Sequence, residues 1–536
     1  MPPRDGGAGR VDGGELFVRG LAREGVTHLF GLPGGHINPI WWAAPRHNIK
    51  IIDTRHEAVA AHAAEGFALA TGQTGVCTVT AAPGVTNALT GIATANHNGT
   101  PMVVLAGAAS MRSADSGEVE TLDQLSIVRP VTKWARRVDH LDRIPEYVAA
   151  AFKEAVTGRP GPTYLEIAID LIHANVEEEG IVYPEPIGRA QRAVAPAPGL
   201  VEQAAAVLAG AKRPAIVAGS GVWWSGAADE LRALAERGIP VATRRQGRGT
   251  IADSHPMCVG RDWQNLVFQA DVLLVVGTQL DYFFGFGNFP HLDAMIQIDV
   301  HPSELGRNRI PVTVPMLGDA RIALAQLGDA LPKLATDDWV QHIQSQYAEL
   351  GARRAELAAT DAVPLHPFRL CAEVASRLDA DSTVIGDASN TLMFVDNYMQ
   401  ANLPGCIPSM STLGTIGHGV GWALGAAAAR PDSKVVWMVG DGSFGFNAME
   451  LDTFARHNLP LVTIIMNNNG WSATWVPLGV RHYERMAAAF DGEGYFVQTP
   501  DELGPALDAA FASSAPSIVN VMLDPAAPWY AGRALI

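Results

Sequence analysis

The feature that most constrains this 536-residue chain is an alternation that restarts three times. Short runs rich in β-branched residues at 49–53, 75–80, 102–107 and 163–169 are separated by alanine-rich stretches of helical length. The pattern stops at the proline- and alanine-rich passage 193–199 and begins again at 214–219, 240–243, 271–277 and 295–299. After a polar helical stretch at 341–360 it starts a third time, at 382–387, 434–440, 460–466 and 517–523. Strands that alternate with helices predict βαβ units and parallel sheets covered on both faces. The expected fold is therefore α/β, with three doubly wound parallel-sheet domains over 1–190, 191–350 and 361–536, each of ordinary domain size. In such open sheets ligands sit beyond the carboxyl ends of the strands, so the residues just after each run are the first candidates for a site.

Composition narrows the class. Charged residues are 18% of the chain against a usual fraction of about 25%, and 48% are hydrophobic, which excludes a disordered chain. The net charge of −16 argues against a nucleic-acid or acidic-membrane binder, because such a surface wants a basic face. Any anionic ligand must be held by local chemistry against that field. The first fourteen residues lack the apolar core of a signal peptide, and the longest apolar stretch, 420–429, is too short to cross a bilayer. Four cysteines without a C-x-x-C pair predict neither a disulfide framework nor a zinc site. A cytoplasmic enzyme with no membrane partner is the expectation.

The sharpest constellation lies in the third block. Gly440-Asp441-Gly442-Ser443 follows the apolar run 435–439, and Asn468 in Asn467-Asn468-Asn469-Gly470 follows the next one. Both are ordinary turn formers when taken alone. Together, at the ends of adjacent strands, they offer the Asp441 carboxylate, the Asn468 amide oxygen and a backbone carbonyl at Gly470, the all-oxygen set that a hard divalent cation prefers. Gly442 would let the backbone approach a phosphate, and the Ser443 amide opens the next helix.

The block GDGSFGFNAMELDTFARHNLPLVTIIMNNNGW resembles the signature of the thiamine diphosphate (ThDP) enzymes, and the resemblance runs over nearly the whole chain. It implies ThDP and Mg²⁺ as cofactors, with Asp441, Asn468 and Gly470 as metal ligands and Asn390, Thr391, Gly442, Ser443 and Asn468 as cofactor-binding residues. It also implies that the three domains are pyrimidine-binding, central nucleotide-binding-like and diphosphate-binding. Glu57, in Arg55-His56-Glu57, matches the carboxyl group that activates the pyrimidine ring in this family, with Thr80 and Asn87 close by. Gly414 matches a carbonyl that accepts from the aminopyrimidine, and Ile416 the apolar side chain that bends the cofactor. Because the family pairs the two cofactor ends across a subunit interface, a homodimer is the minimum and a homotetramer is expected.

Within the family the chain looks closest to the branch containing benzaldehyde lyase, oxalyl-CoA decarboxylase and the 2-hydroxyacyl-CoA lyases. RHEAVAAHAAEGFALATG and Gly35-His36 look like benzaldehyde lyase, while 387–391, Phe444-Gly445-Phe446 and Asn468-Asn469-Gly470 look more like the CoA-using lyases. Arg244, Arg245 and Arg248, three cations in five positions, are the expected anchor for the phosphates of CoA. The resemblance puts His36, Gln124 and Glu493 forward for the acid–base step. Gln279 and the crowding pair Trp223-Trp224 speak against FAD in the central domain and leave ADP open. The aromatic tail 529–533 would form a lid over the CoA entrance. The expected activity is reversible cleavage of a 2-hydroxyacyl-CoA to formyl-CoA and an aldehyde or ketone. The alternative is a CoA-independent acyloin lyase or carboligase of the benzaldehyde lyase or acetolactate synthase type.

Overall fold

The computed structural model describes residues 9–113, 116–307, 311–387, 389–409, 412–471 and 476–527. Three parallel sheets carry the fold, as the alternation predicts. The first has six strands in the order Lys50–Asp53, His28–Gly31, Gly75–Val79, Met102–Ala108, Pro162–Ala168 and Trp134–Val138. The second has five, in the order Val241–Thr243, Pro214–Ala218, Val272–Val276, Ala294–Asp299 and Val314–Leu317. The third also has five, in the order Thr383–Asp387, Val435–Gly440, Val462–Asn467, Ser517–Met522 and Glu493–Val497. Every pairing within these sheets is parallel. Central strands such as Val272–Val276 are buried along their whole length, which explains why they read as continuous apolar runs rather than alternating ones.

Four strands of these three sheets escape the sequence reading. His28–Gly31 is too short to stand out, and Trp134–Val138 is an edge strand that carries two arginines. Val314–Leu317 closes the far edge of the second sheet with only alternate residues buried. The fourth, Glu493–Val497, is an edge strand that opens on Glu493.

The contacts divide the chain into two compact units. One is built of the chain up to Gln191 with Gly417–Pro431 and Asn447–Leu459, and the other of Arg192–Ile416, Asp432–Phe446 and Pro460 onward. Two helical segments from the last third of the sequence thus belong to the first unit. There Gly419–Ala429 packs along Glu57–Thr71, a helix so apolar that it must be covered on both sides. A Cβ at Gly66 would stand 2.5 Å from the backbone of Trp422, so the close approach of these helices requires glycine at that position. No helix among the described residues is long and apolar enough to cross a membrane.

Candidate active site

In the first unit, Glu57 is the first residue of its helix, placed there by the extended His56, whose ring nitrogen accepts the Ala58 N–H at 3.1 Å. Glu57 is buried, and the Asn87 amide donates to its Oε2 at 3.0 Å. Thr80 directly follows the strand Gly75–Val79 of the same sheet. Gly34 and Gly84 let it sit close, since a Cβ on Gly34 would collide with the Thr80 side chain and one on Gly84 would fall 2.9 Å from Thr80 and 3.6 Å from Glu57 Oε1. The three residues expected at the pyrimidine end are thus brought together at the carboxyl side of one sheet.

Two acid–base candidates belong to the same unit, in different states. His36 is buried against Gly107, where any Cβ would collide with its own. Its Nδ1 lies 2.9 Å from Glu120 Oε2, and Thr80 donates to the same oxygen at 3.2 Å. Glu120 was not visible as a site residue from the sequence, because its reach depends on a left-handed backbone at φ 61°. Gln124 is buried with both ends of its amide engaged. Its amide nitrogen has three acceptors, Gly107 O, Tyr164 Oη and Glu166 Oε2, at 2.9–3.1 Å for its two hydrogens, while its oxygen accepts from Ala82 N–H. Glu166 is further held by Arg137, so Gln124 is locked in a buried network.

In the second unit the expected diphosphate-end residues line one cleft. Asn390, Thr391, Ile416, Asp441, Gly442, Ser443, Asn468 and Gly470 all face a space of about 790 Å³, counting its open mouth. Gly414 is not among the lining residues, although its left-handed φ of 73° shapes the turn before Ile416. The glycine at 442 has a second cause that the sequence did not reveal. A Cβ there would lie 2.7 Å from the Trp471 ring, which lines the same cleft.

Two buried polar atoms of residues lining this cleft lack partners among the described residues, namely Asp441 Oδ2 and Ser443 Oγ. Burial pushes the Asp441 carboxyl up to about 6, against the lowering effect of nearby backbone N–H groups at Gly442 and Gly470. One end of the Asn468 amide faces Gly470 O at 2.9 Å and Asp441 Oδ1 at 3.2 Å. With the nitrogen turned inward the amide donates to both. With the oxygen inward, three oxygens converge, the donor chemistry of a hard cation. The residues therefore fit a divalent metal, and the orphaned Ser443 hydroxyl beside it fits an anionic oxygen. No cluster of three His, Cys, Asp or Glu suited to a metal occurs among the described residues, so such an ion would rest on amide and carbonyl oxygens besides the one carboxylate.

Two expectations are corrected. Glu493 is exposed and pairs with Tyr495. Its strand runs parallel to Ser517–Met522, with Glu493 opposite Ser517, so it lies at the amino ends of the sheet, roughly 15 Å of strand away from the carboxyl ends that carry the cleft. The arginine cluster is also spent internally. Arg248 is buried between Asp253 and Asp396, both at 3.1 Å, and Arg245 pairs with Asp281. A buried guanidinium needs a carboxylate partner, and the fold supplies it, so neither is free to hold CoA phosphates. Arg244 instead lies over the rings of Trp263, Phe283 and Phe284, 5.0–5.8 Å from their centroids.

The central sheet changes direction between Pro214–Ala218 and Val272–Val276, where nucleotides are held in folds of this kind. There the backbones of Gly221 and Gly277 approach closely, since a Cβ on Gly221 would stand 2.6 Å from Gly277 Cα, and Gln279 donates to Glu304. The tail 529–533 lies outside the described residues.

Three family models match the chain: the thiamine pyrophosphate enzyme N-terminal TPP binding domain at 11–127, the central domain at 201–327 and the C-terminal TPP binding domain at 387–521. The chain is 35% identical to the acetolactate synthase large subunit IlvG of Mycobacterium tuberculosis, over 96% of each chain. It is 32% identical to 2-hydroxyacyl-CoA lyase 1 of Mus musculus, over 96% of this chain and 94% of that one. Identity to the oxalyl-CoA decarboxylase of Escherichia coli is 30%, over 98% and 97%.

Proposed function

Since the chain belongs to the family of thiamine pyrophosphate enzymes, which make or break carbon–carbon bonds, we propose that it is a ThDP- and Mg²⁺-dependent 2-hydroxyacyl-CoA lyase, running reversibly. The observation that carries the cofactor assignment is the convergence of the Asp441 carboxylate, the Asn468 amide and the Gly470 carbonyl in a cleft shared with Ser443, Asn390 and Thr391. Asp441, Asn468 and the Gly470 carbonyl would hold the metal, and Ser443 with Asn390 and Thr391 would face the diphosphate. Ile416, which lines the same cleft, would pack against the cofactor. Glu57, oriented by Asn87, would exchange a proton with the pyrimidine ring. Bound in this way, ThDP supplies the electron sink that lets a bond beside a carbonyl break. The protein works as a homo-oligomer in this reading, a dimer at least.

The acyl-CoA substrate rests on the likeness of 387–391 and 468–470 to the CoA-using lyases and on the relatives that bear that name. A second reading, a CoA-independent carboligase, is favoured by the internal pairing of Arg245 and Arg248. One assay separates them: the ThDP-Mg²⁺ enzyme is given formyl-CoA with an aldehyde, and in parallel CoA-free partners such as benzoin or pyruvate. Product from formyl-CoA supports the first reading, while bond formation or cleavage confined to the CoA-free arm establishes the second.

A further inference from the structure

Glu120 is one of few non-glycine residues held in the left-handed region, at φ 61°. Such a backbone persists only where the surroundings enforce it, and it is a recurrent mark of functional sites. The surroundings here are explicit. Glu118, two residues earlier, accepts from Ser110 N–H at 3.2 Å and from the Ser113 hydroxyl, which ties down the loop. Glu120 then turns its carboxylate onto Thr80 Oγ1 at 3.2 Å and to within 2.9 Å of His36 Nδ1. Thr80 touches the wall that Gly84 shares with Glu57. His36 Nδ1 is sealed from solvent and makes no other hydrogen bond among the described residues, so the Glu120 carboxylate 2.9 Å away is the group that faces it.

Resting on the reading that the enzyme breaks a bond beside a hydroxyl-bearing carbon, we propose that Glu120 is the positioning residue of the acid–base step: acting through His36, it holds Nδ1–H toward its own carboxylate and leaves Nε2 as the proton acceptor. A neutral imidazole has one donor and one acceptor nitrogen, and a carboxylate beside one of them decides which is which. The proton balance is simple. The substrate hydroxyl gives its proton to Nε2, and its O–H pair becomes the new carbonyl bond of the released aldehyde or ketone. Bound ThDP would supply the sink for the electron pair of the broken C–C bond, and the imidazolium would return the same proton to the remaining fragment. Gln124, whose amide is fully engaged, and Glu493, at the other end of its sheet, take no part.

The test is nitrogen-15 NMR of the imidazoles in the ThDP-Mg²⁺ holoenzyme, with His36 assigned by His36→Gln, alongside the kinetics of Glu120→Gln and Glu120→Gly. The expected result is an Nδ1–H tautomer for His36 that is lost in Glu120→Gln, with kcat down 10- to 100-fold while KM and ThDP affinity stay within twofold. Glu120→Gly, which relieves the left-handed backbone, keeps or raises Tm while kcat falls likewise. An Nε2–H tautomer in the unmodified enzyme, or kcat unchanged in Glu120→Gln, overturns the proposal. The tautomer can be read in the resting protein, so an enzyme inactive on every substrate offered would sink the proposed function without deciding the role of Glu120.

Discussion

Glu450 accepts the backbone N–H of Arg55 through both carboxylate oxygens, at 2.9 and 3.2 Å, two residues ahead of Glu57. The Thr453 hydroxyl donates to the same carboxylate at 2.7 Å. A segment from the last third of the sequence thereby steadies the turn that delivers the principal carboxyl of the first unit. Arg456 and His457 add to this by pairing with Asp53 at 2.6 and 2.8 Å.

Burial pushes Glu450 up to about 7 from 4.5, and the Thr453 and Arg55 hydrogen bonds offset this only in part. Between those two values the folded protein keeps a proton that the unfolded chain has released. Stability should therefore fall as pH rises through that window and level off above it, by about 3 kcal/mol in total for this group. Denaturation midpoints at pH 5 and pH 8, compared with Glu450→Gln, measure the effect. Parallel pH profiles for the two proteins would remove it.

Glu57→Ala should keep the fold and bind ThDP but lose turnover by a factor of about 10²–10⁴, the usual worth of a positioned acid or base. Cofactor titration followed by tryptophan fluorescence, together with kcat, decides this. Near-normal activity would take Glu57 out of the mechanism.

Asp441→Ala should abolish metal-dependent cofactor binding. The unaltered protein gains about 2.7 kcal/mol of stability when ThDP-Mg²⁺ stands at a hundred times its Kd, and the variant should gain none. Thermal unfolding with and without the cofactor and metal reads this directly.

Arg248→Met leaves Asp253 and Asp396 buried without their cation, which should cost about 3–5 kcal/mol. Because Arg248 is a strut and not an anchor, the KM for any CoA thioester should remain unchanged in preparations that fold. A raised KM at unaltered stability would restore it to the substrate site.

Glu493→Gln should leave kcat within twofold and stability within about 0.5 kcal/mol, as for an exposed residue at the far end of its sheet. A tenfold loss of kcat would return Glu493 to the acid–base step.

The sequence by itself determined the architecture and most of the cleft. A parallel sheet forces its ligand-facing residues to the carboxyl ends of buried apolar runs, so Asp441 and Asn468 could be located from local pattern, while Glu57 and Thr80 came from the family resemblance. Only the tertiary structure decided how charge is spent. Arg245 and Arg248 read as a free cationic cluster because their partners Asp281 and Asp396 are 36 and 148 residues away, and a buried cation is neutralised by whichever carboxylate the fold brings to it. Gln124 was exhausted in the same way by Glu166, 42 residues on, and Glu493 was moved out of play by the direction of its strand. Glu120 came into play through a single left-handed backbone angle. Periodicity specifies which face a residue occupies, but hydrogen-bonding capacity is consumed in three dimensions, and only there is it settled which polar groups remain free to do chemistry.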